Sequence, residues 1–291
     1  MAERWNWLKR ELENIPGLAS CWYRDLTTGE TFGWQEDAAH SAASTIKIFL
    51  MAFMFRKFRN GDLRPEDRIL LRPDQIAPSA GVLSYLRDIR ELSVRDLIEL
   101  MIIVSDNSAT NILIELAGME ALNTFLEEEL GLAQTRLRRR MMDLDAIARG
   151  QDNTTSAQEA GMILERMYRG TLISPEDSRE MLRVLKNQQD SSLIPWYLKE
   201  ELPEHTIAHK TGGLDHVVHD AALVDQPGRP YILCFFGSDV SVPVYGRLIQ
   251  DASRRIWEEG AVQHRPRKTR ISPGERRGKT DRTDARDQTC L

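Results

Sequence analysis

Ser44-Thr45-Ile46-Lys47-Ile48-Phe49-Leu50-Met51-Ala52-Phe53-Met54-Phe55 is the stretch whose reading decides this fold. From Ile46 onward it is apolar almost all round, and a helix without a polar face is a buried one. Lys47 is out of place there. Burial disfavours the ammonium form, so a lysine in such a helix must be paired or must give up its proton, leaving an amine that can accept one. The i, i+3 spacing sets Lys47 on the same helix face as Ser44. The partial positive charge of a helix N-terminus favours an alkoxide at Ser44. A plain N-cap serine above a solvent-seeking lysine fits the same letters. Ser-x-x-Lys arises about once by chance in a chain of ordinary composition, so the motif needs support from elsewhere.

The surroundings of this helix differ on its two sides. Before it come a helix over Glu3 to Glu13 and two β-rich runs, Leu18 to Arg24 and Glu30 to Gln35, joined through Thr27-Thr28-Gly29 as a hairpin. After it the chain is helical. Ser93 with Asp96, and Ser156 with Glu159, start apolar runs as capping boxes do. Ser174-Pro175-Glu176-Asp177 sets a cap, a first-turn proline and first-turn acids in order. Strand chemistry returns in His205 to Thr211, Asp220 to Asp225 and Tyr231 to Phe236, and a helix from Val242 to Glu259 turns Leu248, Ile249, Ala252 and Ile256 to that sheet. The expected class is α/β (α+β), an antiparallel sheet from both chain ends flanked by helices, with an all-helical half inserted over about residues 51–190. One domain is expected over residues 1–262. Residues 263–291, rich in Arg, Lys, Asp, Gly and Thr, read as a disordered basic tail.

Composition narrows the function. With 291 residues, 41% of them apolar, and a formal charge of −5, the chain has material for a sizeable core and no basic excess pointing to nucleic acid. The longest apolar run, Ile48 to Phe55, is far short of the about 20 residues that cross a bilayer. The N-terminus shows no apolar leader, so a cytoplasmic, monomeric protein acting on a small molecule is expected, with no nucleic-acid or membrane partner. Three cysteines, Cys21, Cys234 and Cys290, lack metal-site spacing. Free thiols are expected at Cys21 and Cys234, and neither a metal nor a cofactor is called for.

Two further motifs carry chemistry. Ser105-Asp106-Asn107 interrupts two helical runs, Val94 to Val104 and Ser108 to Gly118, where it could equally be a local cap. Lys210-Thr211-Gly212-Gly213 ends a strand with a cation, a hydroxyl and two backbone amides, which suit an anionic or amide-bearing substrate laid along a strand edge. A hairpin turn with a surface lysine is the plain alternative.

Ser-x-x-Lys, then Ser-Asp-Asn about 60 residues on, then Lys-Thr-Gly about 100 further, resembles the class A β-lactamase and penicillin-binding protein superfamily. The resemblance runs from about Gly17 to the closing helix, and it implies a site in the cleft between the sheet half and the helical half. It implies that Ser44 attacks a carbonyl, with Lys47 as its base or the orienter of a base. Ser105 would relay a proton to the leaving nitrogen, Asn107 would position the substrate amide, Lys210 would lend electrostatic support and Thr211 would contact the substrate carboxylate. Gly212 and Gly213 present backbone to the substrate, and the amides of Ser44 and Gly213 would form the oxyanion hole.

One position departs from the family. In the loop that follows the helical half, the family carries a glutamate that activates the deacylating water. The matching stretch here is Thr135-Arg136-Leu137-Arg138-Arg139-Arg140, and Met141 then stands in the glutamate's place. A thioether is no base, so Asp143 is the candidate substitute, with Asp145 beside it. The resemblance implies a β-lactam-opening serine hydrolase with slow deacylation. A peptidase or esterase on the same scaffold and a β-lactam sensor without turnover are the alternatives.

Overall fold

Strands buried on both faces feed two cores, one on each side of a single sheet. The protein is described as a computed structural model covering residues 2–77 and 81–263. Five strands, β1 (Leu18–Asp25), β2 (Thr31–Trp34), β3 (Ile207–Leu214), β4 (Val217–Val224) and β5 (Tyr231–Ser238), pair antiparallel in the order β2-β1-β5-β4-β3. Alternate side chains point to opposite faces. Trp22, Ala208, Ala221, Ile232, Cys234 and Phe236 join the helical half on one face. Cys21, Tyr23, Ala222, Val224, Leu233 and Phe235 join the terminal helices α1 (Asn6–Glu13) and α8 (Val242–Gln263) on the other.

The expected hairpin is present, with Cys21 opposite Trp34 and Arg24 opposite Thr31. The central pairing of β1 with β5 sets Trp22 against Cys234. Cys21 and Cys234 are free, and because they belong to opposite cores of the sheet their side chains face away from each other. Burial pushes both thiols up, so neither presents a reactive thiolate.

Between β2 and β3 lie the longer helices α2 (Ile46–Asn60), α3 (Val94–Ile103), α4 (Asn107–Ala117), α5 (Ala157–Tyr168), α6 (Pro175–Lys186) and α7 (Pro195–Glu201), with two shorter ones at Met119–Thr124 and Leu144–Ala148. Every residue of α2 from Ile46 to Phe55 is buried, which explains its lack of a polar face. Ser93 caps α3 in a complete box with Asp96, a feature worth about 1 kcal/mol. Ser156 accepts from Glu159 N, but the Glu159 carboxylate does not return to its own cap. It accepts instead from Ala133 N, Gln134 N and the Thr135 hydroxyl, so it anchors the chain leading into the loop that bears Met141. Ser174 caps α6 as expected, accepting from Asp177 N. On α5, a Cβ at Gly161 would lie 2.1 Å from the Trp22 ring, so only glycine lets this helix close on the sheet. Gln263 ends α8, and residues 264–291 of the expected disordered tail lie outside the described residues.

Candidate active site

Three pieces of chain converge where edge strand β3 meets the N-terminal end of α2. Ser44 sits in a short 3-10 turn, Ala43–Thr45, that runs into α2, and it is partly exposed. Gly212 of β3 is pressed against this turn. A side chain there would bring its Cβ to 3.3 Å from Ser44 N and Thr45 N, backbone that cannot yield, so the motif's first glycine is a condition of close approach. Gly213, the next residue, is exposed and lines the cleft.

Lys47 is fully buried, at 0% exposure. Its Nζ lies 3.1 Å from Ser44 Oγ, 2.9 Å from Ser105 Oγ, 2.7 Å from Ser105 O and 2.9 Å from Asn107 Oδ1. Lys210, also at 0% exposure, reaches the same Ser105 hydroxyl at 3.1 Å and the Thr211 carbonyl at 3.0 Å. Desolvation, and then the charge of Lys210, hold Lys47 well below the ordinary lysine range. Burial lowers Lys210 to about 8, against the pull of Asp220 and Asp190. The arrangement places the Ser105 hydroxyl between two buried lysines, both held below the ordinary lysine range.

Local backbone geometry sets this cluster up. Ser105, between α3 and α4, has φ +57°, an uncommon value for a residue with a side chain, and it turns both its carbonyl and its hydroxyl to Lys47. Asp106 caps α4 through Ala109 N and also accepts from Val82 N and Leu83 N, tying residues 82–83 to the junction. Beneath the nucleophile's turn, His219 bonds the Ser41 carbonyl at 2.7 Å and His40 bridges Ser20 and Ser238. Burial lowers His40 to about 3 and His219 to about 4, so both act as neutral struts.

A cleft of about 640 Å³ opens in front of Ser44. Asn107, Thr211, Gly212 and Gly213 line it together with Ser44. Its outer wall is the loop carrying Met141, Met142, Leu144 and Ile147, all of which line the same cleft. Met141 is nearly buried, and its backbone is clamped by Asn111, which gives to Met141 O at 3.1 Å and takes from Met141 N at 2.7 Å. At the neck of the loop Arg139 pairs with Asp152 at 2.7 Å.

Asp143 is not brought to Ser44. Its carboxylate caps the short helix Leu144–Ala148 by accepting from Ala146 N, and it lines a separate hollow with Asp74, Glu115 and Arg140. Asp145 is exposed. Among the described residues, the carboxylates lining the cleft are Asp190 and Asp215, on the strand side and away from the loop.

Sequence reasoning missed Asn111, Arg139, Asp152 and Asp190. Asn111 alone left a signal, four residues after Asn107 on one helix face. Among the described residues, no group of three or more His, Cys, Asp or Glu is placed to hold a metal ion. Nor is any helix long and apolar enough to cross a membrane.

Known proteins share both the fold and the sequence pattern. The chain belongs to the beta-lactamase enzyme family, whose model matches residues 4–259. A beta-lactamase of Streptomyces fradiae is 27% identical over 219 residues, 72% of this chain and 69% of its own. One of Streptomyces albus G is 29% identical, over 80% and 77%. The structure of PBP-A matches with a TM-score of 0.80 and 28% identity, covering 90% of this chain and 97% of its own. The beta-lactamase of Sphaerobacter thermophilus matches with 0.80 and 29%, over 89% and 98%. A mutant of PBP-A, solved as an acyl-enzyme complex with penicillin G, is equally similar, at 0.80 and 29% over 90% and 97%.

Proposed function

We propose that this protein opens β-lactams through an acyl-enzyme on Ser44 and releases the product slowly. The observation that carries the reading is the buried Lys47 amine 3.1 Å from the Ser44 hydroxyl, within one polar cluster with Ser105 and Asn107. Neutral Lys47 takes the Ser44 proton as the oxygen attacks the lactam carbonyl. The backbone N–H groups of Ser44 and Gly213 receive the charge that develops on the carbonyl oxygen. Asn107 orients the substrate's amide and Thr211 its carboxylate. Ser105, held between Lys47 and Lys210, hands its proton to the ring nitrogen as the C–N bond breaks and takes from Lys47 the one that came from Ser44. Lys210 holds positive charge beside this relay.

The second half of the cycle needs a base for water near the ester, and Met141 occupies the loop position where the family carries one. Neither Asp143 nor Asp145 lines the cleft in its place. Hydrolysis of the ester is therefore the slow step. Enzymes named beta-lactamase among the relatives, and the penicillin complex of the PBP-A mutant, support this substrate class over the peptidase, esterase and sensor readings. Incubation with penicillin G followed by peptide mass mapping is expected to place one penicillin on the peptide containing Ser44. Label on any other residue overturns the assignment.

A further inference from the structure

One buried imidazole between the sheet and the nucleophile is used by none of these steps. His219 of β4 is fully buried and stacks on Phe236, with ring centroids 4.3 Å apart. Its two ring nitrogens have different partners. Gly237 N of β5 donates to Nδ1 at 3.1 Å, so Nδ1 is an acceptor and the ring proton sits on Nε2. Nε2 gives that proton to the Ser41 carbonyl at 2.7 Å. The imidazole therefore joins the middle of the sheet to the segment that leads into the Ser44 turn.

That turn needs support from outside. Ala43 has φ +44°, a value that a residue with a side chain keeps only where its surroundings impose it. Thr45 closes the turn on itself, with N and Oγ1 both donating to the Ala42 carbonyl, at 3.0 and 2.6 Å. Ser41, just ahead, is fixed to the rest of the protein by His219 at its carbonyl and by Asp152 Oδ2 at its hydroxyl. In the pairing of β3 with β4, His219 stands opposite Gly212, the glycine pressed against Ser44 N, and Val218 stands opposite Gly213. The two amides of the oxyanion hole thus belong to different pieces of chain, Ser44 N to the turn and Gly213 N to β3. We propose that His219 is the positioning residue that sets the spacing of these two amides, by bonding the turn's lead-in to the strand paired with β3. The role rests on the proposed function, since the hole serves that reaction. Such amides bind the carbonyl oxygen most strongly in the transition state, so loss of the strut lowers the limiting rate of acylation and spares substrate binding.

Two amide side chains copy the two ring nitrogens separately, a glutamine nitrogen falling near Nε2 and an asparagine oxygen near Nδ1. His219→Gln keeps the bond to Ser41 and strands Gly237 N, whereas His219→Asn keeps the bond from Gly237 and strands the Ser41 carbonyl. Each leaves one buried backbone group unpaired, so the two are expected to lose similar stability in urea. His219→Asn is expected to lower the limiting rate of Ser44 acylation by penicillin G about tenfold, at an unchanged half-saturating concentration. His219→Gln is expected to restore most of that rate. Equal limiting rates in the two variants, or an effect confined to the half-saturating concentration, overturn the proposal. If only one variant folds, it is judged against the wild type on the same terms. The series is repeated with p-nitrophenyl acetate, whose acetyl group bonds to Ser44 Oγ as p-nitrophenolate leaves and Lys47 takes the serine proton. If the wild-type protein takes up no penicillin, the proposed substrate class fails while the p-nitrophenolate burst still judges His219. If neither reagent acylates Ser44, both fail.

Discussion

The two walls that meet at Ser44 are built of opposite materials. On the inner side Lys47, Ser105, Asn107 and Lys210 form a continuous polar cluster, with Lys47 and Lys210 wholly shut off from solvent. On the outer side the loop offers Met141, Met142, Leu144 and Ile147. Buried polar groups are costly unless satisfied, so the inner cluster persists because its members satisfy one another. None of these four side chains takes a proton from water. In the proposed function this contrast separates two half-reactions that share Ser44: one wall serves formation of the ester, and the other offers little to its hydrolysis.

The largest expected effect removes the inner wall's reacting atom. Ser44→Ala is expected to abolish covalent labelling by penicillin G with an unchanged circular dichroism spectrum. Equal labelling of the mutant at the same rate would break the comparison at its root. Next in size is the outer wall: Met141→Glu installs a base where the thioether stands. General-base catalysis contributes about 10²–10⁴-fold, so the steady rate of penicillin hydrolysis should rise within that range while the acylation rate hardly moves. A steady rate equal to wild type would mean that the loop does not govern the ester's lifetime.

The pH dependence of acylation sharpens the inner half. In the proposed acylation Lys47 acts as a free amine, the form that desolvation favours by holding it well below the ordinary lysine range. Lys210 is needed as a cation and loses its proton through about 8. The acylation rate should therefore fall as pH rises past about 8, and Lys210→Arg should move that limb upward because guanidinium stays protonated. A flat profile from pH 7 to 10 in the wild type would remove Lys210 from the acylation step. The smallest effect concerns the clamp on the loop. Asn111→Ala strands Met141 N and O and should cost about 1–3 kcal/mol in urea unfolding. In the Met141→Glu background it should also erase part of the gained turnover.

Much of this was legible in the sequence, for reasons that are themselves structural. A helix buried on all sides leaves an apolar run with a misplaced lysine, and strands buried on both faces leave short, nearly continuous apolar runs. The hairpin, the closing helix, the Ser93 and Ser174 caps and the meeting of three distant motifs could all be anticipated. What stayed hidden depends on contacts between segments that no spacing encodes. Asp143 looked like a stand-in base because it is acidic and near Met141 in the chain, yet its nearest orphan donor, Ala146 N, claims it as a cap. Glu159 looked like half of a capping box, yet the stripped backbone of Ala133 and Gln134 binds it more directly. Gly212 read as substrate-facing backbone, and its tighter constraint is the Ser44 turn behind it.

The central claim is that this site forms its acyl-enzyme faster than it clears it. The most direct measurement is the intact mass of the wild-type protein over time after mixing with excess penicillin G, with product followed in parallel. The account predicts a burst of product equal to the enzyme present, a protein mass raised by one penicillin, and slow decay of that species once free penicillin is removed. A protein whose mass stays unmodified while penicillin is consumed at a constant rate from the first turnover would contradict it.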